Sequence, residues 1–344
     1  MKDKALSRRD FMGAAAAIGA FTVVPRHVLG GPNNTPPSEK LNIAGVGIGG
    51  QGASDLRQME SENIVALCDV DWRHAAGTFR RYPDARKYYD FREMLDKEGK
   101  NIDAVVVGTP DHMHAPVSLA AIKRGKHVYC EKPLTHTVLE ARMLADAARQ
   151  AGVATQMGNQ GQASEGTRLL CETIWDGAIG QVREVHVWTD RPLNGTNKWY
   201  WPQGVDRPQG NDSVPETLNW DLLIGPAPMR PYVPRVYHPF VWRGWWDFGT
   251  GALGDIGCHS IDPVFRALKL GYPTSVEACC TLVNDETYPV ASRVTYEFPA
   301  RGDLAPVTLH WYDGGMKPPR PKELENGRRW DTNGALYIGC LLYT

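Results

Sequence analysis

The sequence predicts a two-domain α/β protein: a doubly wound parallel sheet, then a second domain built on an antiparallel sheet. Three observations carry this. Between residues 41 and 157 short apolar runs alternate with helical patterns, the signature of βαβ units. The first run ends in a glycine-rich turn, Gly47-Ile48-Gly49-Gly50-Gln51-Gly52. Beyond residue 270 apolar runs succeed one another without helices between them, as in an antiparallel sheet.

Strands are expected at 41–46, 63–70, 102–108, 127–130 and 153–157, with helices at 53–60, 73–82, 91–99, 115–124 and 137–152. A helix at 166–175 and a strand at 182–189 follow, then a long Pro/Gly/Trp-rich stretch at 191–248. Helix returns at 255–270, and strands at 275–282, 292–298 and 307–311 complete the pattern. The domains therefore divide as 41–158 and 159–344. A last strand at 335–339 stands five residues before the final residue; this reads as an interrupted domain, by truncation or an altered reading frame.

The 344 residues suffice for two domains of ordinary size. A formal net charge of −1 gives no electrostatic attraction for nucleic acid or an anionic membrane. The seven cysteines show no C-x-x-C spacing and read as small buried hydrophobes of a chain folded under reducing conditions. At the N-terminus, Ser7-Arg8-Arg9-Asp10-Phe11-Met12 opens an apolar run to Val24. That is signal-peptide architecture, too short to span a bilayer comfortably. The paired arginines resemble a twin-arginine export signal. Residues 1–31 are thus read as the signal, with the twin-arginine machinery as partner, and residues 32–40 as a linker. The protein would be periplasmic, or held at the membrane by an uncleaved signal.

The glycine turn matches G-x-G-x-x-G between a strand and a helix. Gly47 permits the tight turn, Gly49 lets the backbone approach a pyrophosphate, and Gly52 lets helix and strand pack closely. Gly50 and Gln51 complete the loop. Gly45, Gly47 and Gly50 fit a second frame, but Gly45 sits within the strand. Asp69 ends the second strand, 22 residues after Gly47, where an acid can hydrogen-bond the adenosine ribose. The combination predicts a nicotinamide dinucleotide. Asp69 would repel a 2′-phosphate, favouring NAD over NADP, although Arg73 lies close.

Two further segments fall at carboxyl ends of strands, where an open α/β sheet binds its ligand. Thr109-Pro110-Asp111-His112-Met113-His114 is read as a loop; His112 and His114 are either cofactor contacts, a metal pair or solvated side chains. Glu131-Lys132-Pro133 ends the next strand, and Pro133 stops it. Lys132 would project into the crevice, where its ammonium can stabilise a developing alkoxide.

The glycine loop, the T-P-x-x-x-H segment and the E-K-P strand end, in this order, resemble the Gfo/Idh/MocA oxidoreductase family from residue 41 to about 311. The resemblance implies a C-terminal α/β domain with an open, mainly antiparallel sheet that covers the nicotinamide and commonly packs against another subunit, hence a homo-oligomer. It also implies an Asp-x-x-x-His pair, supplied here by Asp255 and His259. On a helix these are i and i+4 and share a face, which suits an acid/base histidine beside an orienting carboxylate. Lys132, Asp255 and His259 would converge on one carbinol, with either Lys132 or His259 as base. Asn159, after the last Rossmann strand, would contact the nicotinamide or its ribose.

Trp201, Trp245 and Trp246, with Arg243, lie in the irregular stretch before that pair. Such rings are either core packing or platforms for the faces of a carbohydrate. The run W-R-G-W-W-D-F-G-T-G-A-L-G-D resembles exported members of the family. The first expectation is an NAD(P)-dependent oxidoreductase acting on a sugar, glycoside or polyol hydroxyl. The alternatives are an NAD-dependent glycoside hydrolase using transient oxidation, a metal-dependent hydrolase using His112, His114 and His259, and a binding protein with a structural cofactor.

Overall fold

The computed structural model describes residue 36, residues 39–196 and residues 198–341. The signal read at 1–31, and most of the first part of the linker, lie outside the described residues. No described helix is long and apolar enough to cross a membrane.

The first domain holds β1 (Asn42–Val46), β2 (Asn63–Cys68), β3 (Arg86–Tyr88), β4 (Ala104–Val107), β5 (His127–Glu131) and β6 (Thr155–Gly158). They form one sheet in the order β3-β2-β1-β4-β5-β6, with every pair parallel. This is the doubly wound order, in which the crevice beyond the strand ends opens where the order reverses, between β1 and β4. Helices α1 (Gly50–Gln58), α2 (Ala76–Arg81), α3 (Phe91–Glu98), α4 (Asp111–Ile122) and α5 (Val138–Ala151) connect the strands. Local chemistry fixes their ends. Asp90 caps α3 by accepting from Arg92 N, Thr137 and Glu140 form a reciprocal capping box on α5, and Gly152 ends α5 at φ +65°.

The second domain contributes α6 (Glu165–Trp175), β7 (Val182–Trp188), a short α7 (Trp220–Ile224), α8 (Gly251–Ser260) and α9 (Asp262–Ala267). Strands β8 (Ser275–Cys280), β9 (Ser292–Phe298), β10 (Val307–Tyr312) and β11 (Gly334–Gly339) complete it. The sheet order is β11-β7-β10-β9-β8, antiparallel except for the parallel pair β7–β10. Side chains alternate across this sheet. Val185, Val187, Leu309, Trp311, Val294 and Phe298 pack on one face with Val264 and Leu268 of the helical layer. The opposite face carries Glu184, His186, Thr308, His310, Thr295 and Glu297.

The two-domain α/β architecture is as the sequence predicts, and three local differences have physical causes. Helix α4 starts at Asp111, not near 115, because Pro110 holds the extended backbone of the position before the helix. The T-P-x-x-x-H histidines are therefore helical and not in a loop. The helix expected at 255–270 begins at Gly251 and is two helices, α9 starting anew with a proline in its first turn. The three-residue β3 was too short for its pattern to register. The cysteines correct another expectation: all seven are free, but Cys279, Cys280 and Cys340 are exposed.

Trp311 is fully buried at the centre of the second core, and its Nε1 donates to Asp313 Oδ2 at 2.9 Å. Trp311→Ala is expected to cost about 3–5 kcal/mol of stability, read from the midpoint of chemical denaturation.

Candidate active site

A cavity of about 850 Å³ runs from the glycine loop to α8, between the two domains, within the range of about 300–1,000 Å³ usual for small-molecule sites. Gly47, Gly49, Gly50, Gln51 and Asp69 line one end. Thr109, Pro110, His114, Glu131 and Lys132 line the middle, and Arg243, Asp255 and His259 line the other end.

The glycines are required by contact. A Cβ on Gly47 would stand 2.6 Å from Thr109 N, and one on Gly52 would stand 2.0 Å from Gly47 O. Gly52 itself lies behind the loop, as its packing role demands. Gly47 and Gly50 have φ of +74° and +52°, conformations that glycine adopts at least cost. Helix α1 has no side-chain cap, so its first-turn N–H groups are left for an anionic ligand. Asp69 is placed unexpectedly deep. Its Oδ2 accepts from Ile48 N at 2.8 Å and Gly49 N at 3.1 Å, and its Oδ1 from Asp71 N at 2.9 Å. It therefore shapes the loop while still lining the cavity. The buried Thr109 hydroxyl has no partner among the described residues. The tight glycine cradle, uncapped helix and free hydroxyl fit a dinucleotide.

The histidines of α4 divide. His112 lies off the cavity. Its Nε2 faces the Leu223 carbonyl at 3.0 Å, its ring packs edge-on against Phe248, and burial pushes its pKa down to about 4. His114 bonds two carbonyls, Pro133 O at 2.6 Å through Nδ1 and Thr109 O at 2.8 Å through Nε2. Both ring nitrogens therefore donate. Burial opposes that charge, but the Cys130 thiol and the two carbonyls raise the pKa overall. His112 Nδ1 has no partner among the described residues, but both His114 nitrogens are taken up by carbonyls, so the two rings do not form the metal pair of the hydrolase reading. His112 is corrected from cofactor contact to packing residue. His114 instead ties the Thr109 segment to the end of β5.

Glu131 accepts from Gln160 Nε2 at 3.1 Å and from Lys132 N at 3.2 Å. Burial, reinforced by the Asp55 charge, pushes its carboxyl up to about 7. Asn159 is buried and does not line the cavity, whereas its neighbour Gln160 does.

At the far end, Asp255 Oδ1 accepts from Lys132 Nζ at 2.8 Å and from Arg243 Nε at 3.1 Å. Burial alone would raise the Asp255 pKa, but the two cations lower it below the ordinary carboxylate range. Burial would likewise lower Lys132, yet Asp255 raises it, so the ammonium keeps its proton. His259 lies one turn along α8 from Asp255. Burial and the Lys132 charge lower its pKa, against the pull of Asp255, so the ring is neutral near neutral pH. Behind them the buried Asp111 accepts from Thr250 Oγ1 at 2.7 Å, and burial followed by the Asp255 charge pushes it up to about 7.

The tryptophan assignments are largely corrected. Trp201 and Trp245 are fully buried, donating from Nε1 to Gln203 Oε1 and Val236 O. Trp246 packs on Tyr288 and donates to Asn284 O. All three hold the irregular segment together. The cavity is lined by Tyr89 and Phe91 from the first domain and by Tyr200, Phe240 and Trp242 from the irregular segment. The Arg243 guanidinium lies 4.1 Å from the Phe240 ring centroid and 4.2 Å from that of Trp242. Trp242 stands in the same W-R-G-W-W run; indole spacing alone did not separate the ring facing the cavity from those facing inward.

Comparison with known proteins agrees with this geometry. The profile described as "Oxidoreductase family, NAD-binding Rossmann fold" of the GFO_IDH_MocA group matches residues 40–159, and that of its "C-terminal alpha/beta domain" matches residues 173–303. Inositol 2-dehydrogenase of Salmonella paratyphi B is 30% identical over 198 residues, 55% of this chain and 57% of that protein. Glycosyl hydrolase family 109 protein 1 of a Shewanella species is 27% identical over 173 residues, 42% of this chain and 37% of that protein. The matches thus span little more than half of these relatives' length, or less. The WlbA dehydrogenase of Bordetella pertussis, solved with NADH and UDP-GlcNAcA, shares the fold at a TM-score of 0.59 and 18% identity, over 87% of this chain and 76% of that one.

Because a Cβ at position 52 meets the Gly47 carbonyl, Gly52→Ala is expected to weaken NAD binding at least about tenfold, about 1.4 kcal/mol. Calorimetric titration with NAD checks this.

Proposed function

We propose that this chain, which belongs to the Gfo/Idh/MocA oxidoreductase family, oxidises a hydroxyl of a sugar, glycoside or polyol with NAD as cofactor. The observation that carries the reading is one continuous cavity, with a glycine cradle at one end and Lys132, Asp255 and His259 at the other. The inositol 2-dehydrogenase among the similar proteins supports the substrate class.

NAD, when bound in the glycine cradle, supplies the hydride acceptor. The protein's groups handle the proton and the charge. His259 is neutral because burial and Lys132 disfavour its cation, so it can take the hydroxyl proton. Lys132 stays charged through Asp255 and faces the oxygen on which negative charge grows. Asp255 fixes the ammonium, and Arg243 shares its carboxylate. Of the two candidate bases this arrangement favours His259. Tyr200, Phe240 and Trp242 offer apolar faces to a carbohydrate ring.

A second reading is a glycosidase that oxidises its sugar transiently and reduces the product again, supported by the family 109 relative. Release and identification of any bound dinucleotide from denatured protein is the first test, followed by assay against sugars, glycosides and polyols. Stoichiometric NADH supports the dehydrogenase. Aglycone release without net NADH supports the glycosidase. Protein that neither carries nor binds NAD overturns both. The signal read at residues 1–31 supports export with the cofactor already loaded. Arg8→Lys with Arg9→Lys is then expected to leave the protein in the cytoplasm, as cell fractionation would show.

The pH dependence follows from the signs. His259 acts in its neutral form and its pKa is lowered, so kcat/KM is retained above that pKa and lost as pH falls through it, below the usual histidine range. Lys132 acts charged and its pKa is raised, so activity fails only as pH rises past the ordinary lysine range. His259→Asn is expected to reduce kcat about 10²–10⁴-fold and to abolish the acid limb of the profile.

A further inference from the structure

The open face of the second sheet carries a cluster that the nucleotide site does not use. Glu184 and His186 lie on β7 and His310 on β10, with His186 directly opposite His310 in the parallel pair. We propose that Glu184, His186 and His310 form a binding site for a divalent transition metal of the zinc type, on the far side of the second sheet from its helices. This does not rest on the reading of the nucleotide cavity.

The geometry is that of a partly formed coordination shell. Glu184 Oε1 lies 3.0 Å from His186 Nε2 and 3.3 Å from His310 Nε2. Ligands at about 2.0–2.1 Å from a tetrahedral zinc ion stand about 3.3 Å apart along its edges, and the three ligand atoms here lie within 4.8 Å of one another, so a turn of one imidazole admits the ion. The two imidazoles are nearly parallel, with ring centroids 4.9 Å apart and an interplanar angle of 18°. Both Nε2 atoms flank Glu184 Oε1, but stacked rings hold their in-plane lone pairs side by side, so one ring must turn for both to meet an ion. Among the described residues this is the one group of His, Cys, Asp and Glu placed to share an ion.

The other ring nitrogens are already held. His186 Nδ1 lies 3.1 Å from the Tyr312 hydroxyl, and His310 Nδ1 lies 3.0 Å from Thr295 Oγ1. Without an ion each Nε2–H donates to Glu184 and the hydroxyls donate to Nδ1; an ion would switch the tautomers, the hydroxyl oxygens accepting from Nδ1–H and the Nε2 lone pairs turning to the metal, and such outer partners orient ligating histidines. The nearby charges leave room for a cation. Arg293 faces Tyr312 across β9–β10, and Glu297 answers it on the same face, accepting from Thr308 Oγ1 at 2.9 Å. Two imidazoles with one carboxylate select zinc-like ions over magnesium. His186 is buried, His310 partly so, and the Glu184 side chain is 40% exposed, so the fourth position opens toward the face of the sheet. A bound ion would clasp β7 to β10, the one parallel pair of this sheet among the described residues.

The competing account is a plain hydrogen-bonded Glu–His–His cluster, and metal titration separates the two. The full chain, stripped with chelator, is titrated with Zn²⁺ and Co²⁺, with Mg²⁺ as control. One equivalent of Zn²⁺ is expected, with a tetrahedral Co²⁺ spectrum lacking a thiolate charge-transfer band. His310→Gln, and separately the more exposed Glu184→Gln, are expected to weaken binding at least about tenfold with circular dichroism unchanged. No stoichiometric binding overturns the site. So does unchanged affinity in folded Glu184→Gln protein, or a thiolate band that disappears in Cys280→Ser.

Discussion

The site depends on one buried carboxylate. Asp255 sits on α8 with a side chain only 5% exposed and is stabilised as an anion by Lys132 from the end of β5 and Arg243 from the irregular segment. A buried charge is tolerated when it is paired and costly when its partner is removed, about 3–5 kcal/mol. Three parts of the chain, 123 and 12 residues from Asp255 in sequence, are thereby held at one point. The same arrangement sets the proton chemistry. Asp255 keeps Lys132 charged, and that charge keeps His259 neutral.

The opposite end of the cavity is fixed by close approach. Gly47, Gly52 and Gly108 touch backbone to backbone, and a Cβ on Gly108 would stand 2.7 Å from the Gly52 Cα. Asp69 completes this end by taking two loop N–H groups and one from its own strand end. Its position after β2 is what the dinucleotide pattern demands, but the pattern could not reveal that the carboxylate also braces the loop. Brace and ribose contact are compatible, since each carboxylate oxygen has more than one lone pair.

Much of this was legible because it is local. Strand–glycine–helix spacing placed the cradle, and i, i+4 spacing placed Asp255 and His259 on one face. What escaped is non-local. Asn159 and Gln160 differ by one residue at the end of β6, and only the turn geometry decides which faces Glu131. Trp201, Trp245 and Trp246 share composition with Trp242 but find carbonyl or amide acceptors inside the segment, so indole donors are satisfied where apolar surface is buried. His112 and His114 are both on one helix turn, yet their carbonyl partners come from residue 223 on one side and residues 109 and 133 on the other.

The contacts that dock the domains are also those that build the site. Thr250 donates to Asp111, His112 N donates to Phe248 O, His136 Nε2 meets Gly249 O at 2.9 Å, and Lys132 meets Asp255. Every one joins the first domain to α8 or to the segment leading into it. The first domain without the second would leave Lys132 without its anion and Asp111 without its donor, while the second alone would leave Asp255 only Arg243. Each half is electrostatically incomplete, and docking resolves both at once. A motion that opened the cavity wide would have to separate Lys132 from Asp255 and so raise the energy of both charges. The irregular segment that walls the cavity is bound into the same constraint, because its Arg243 stacks on Phe240 and Trp242 and donates to Asp255.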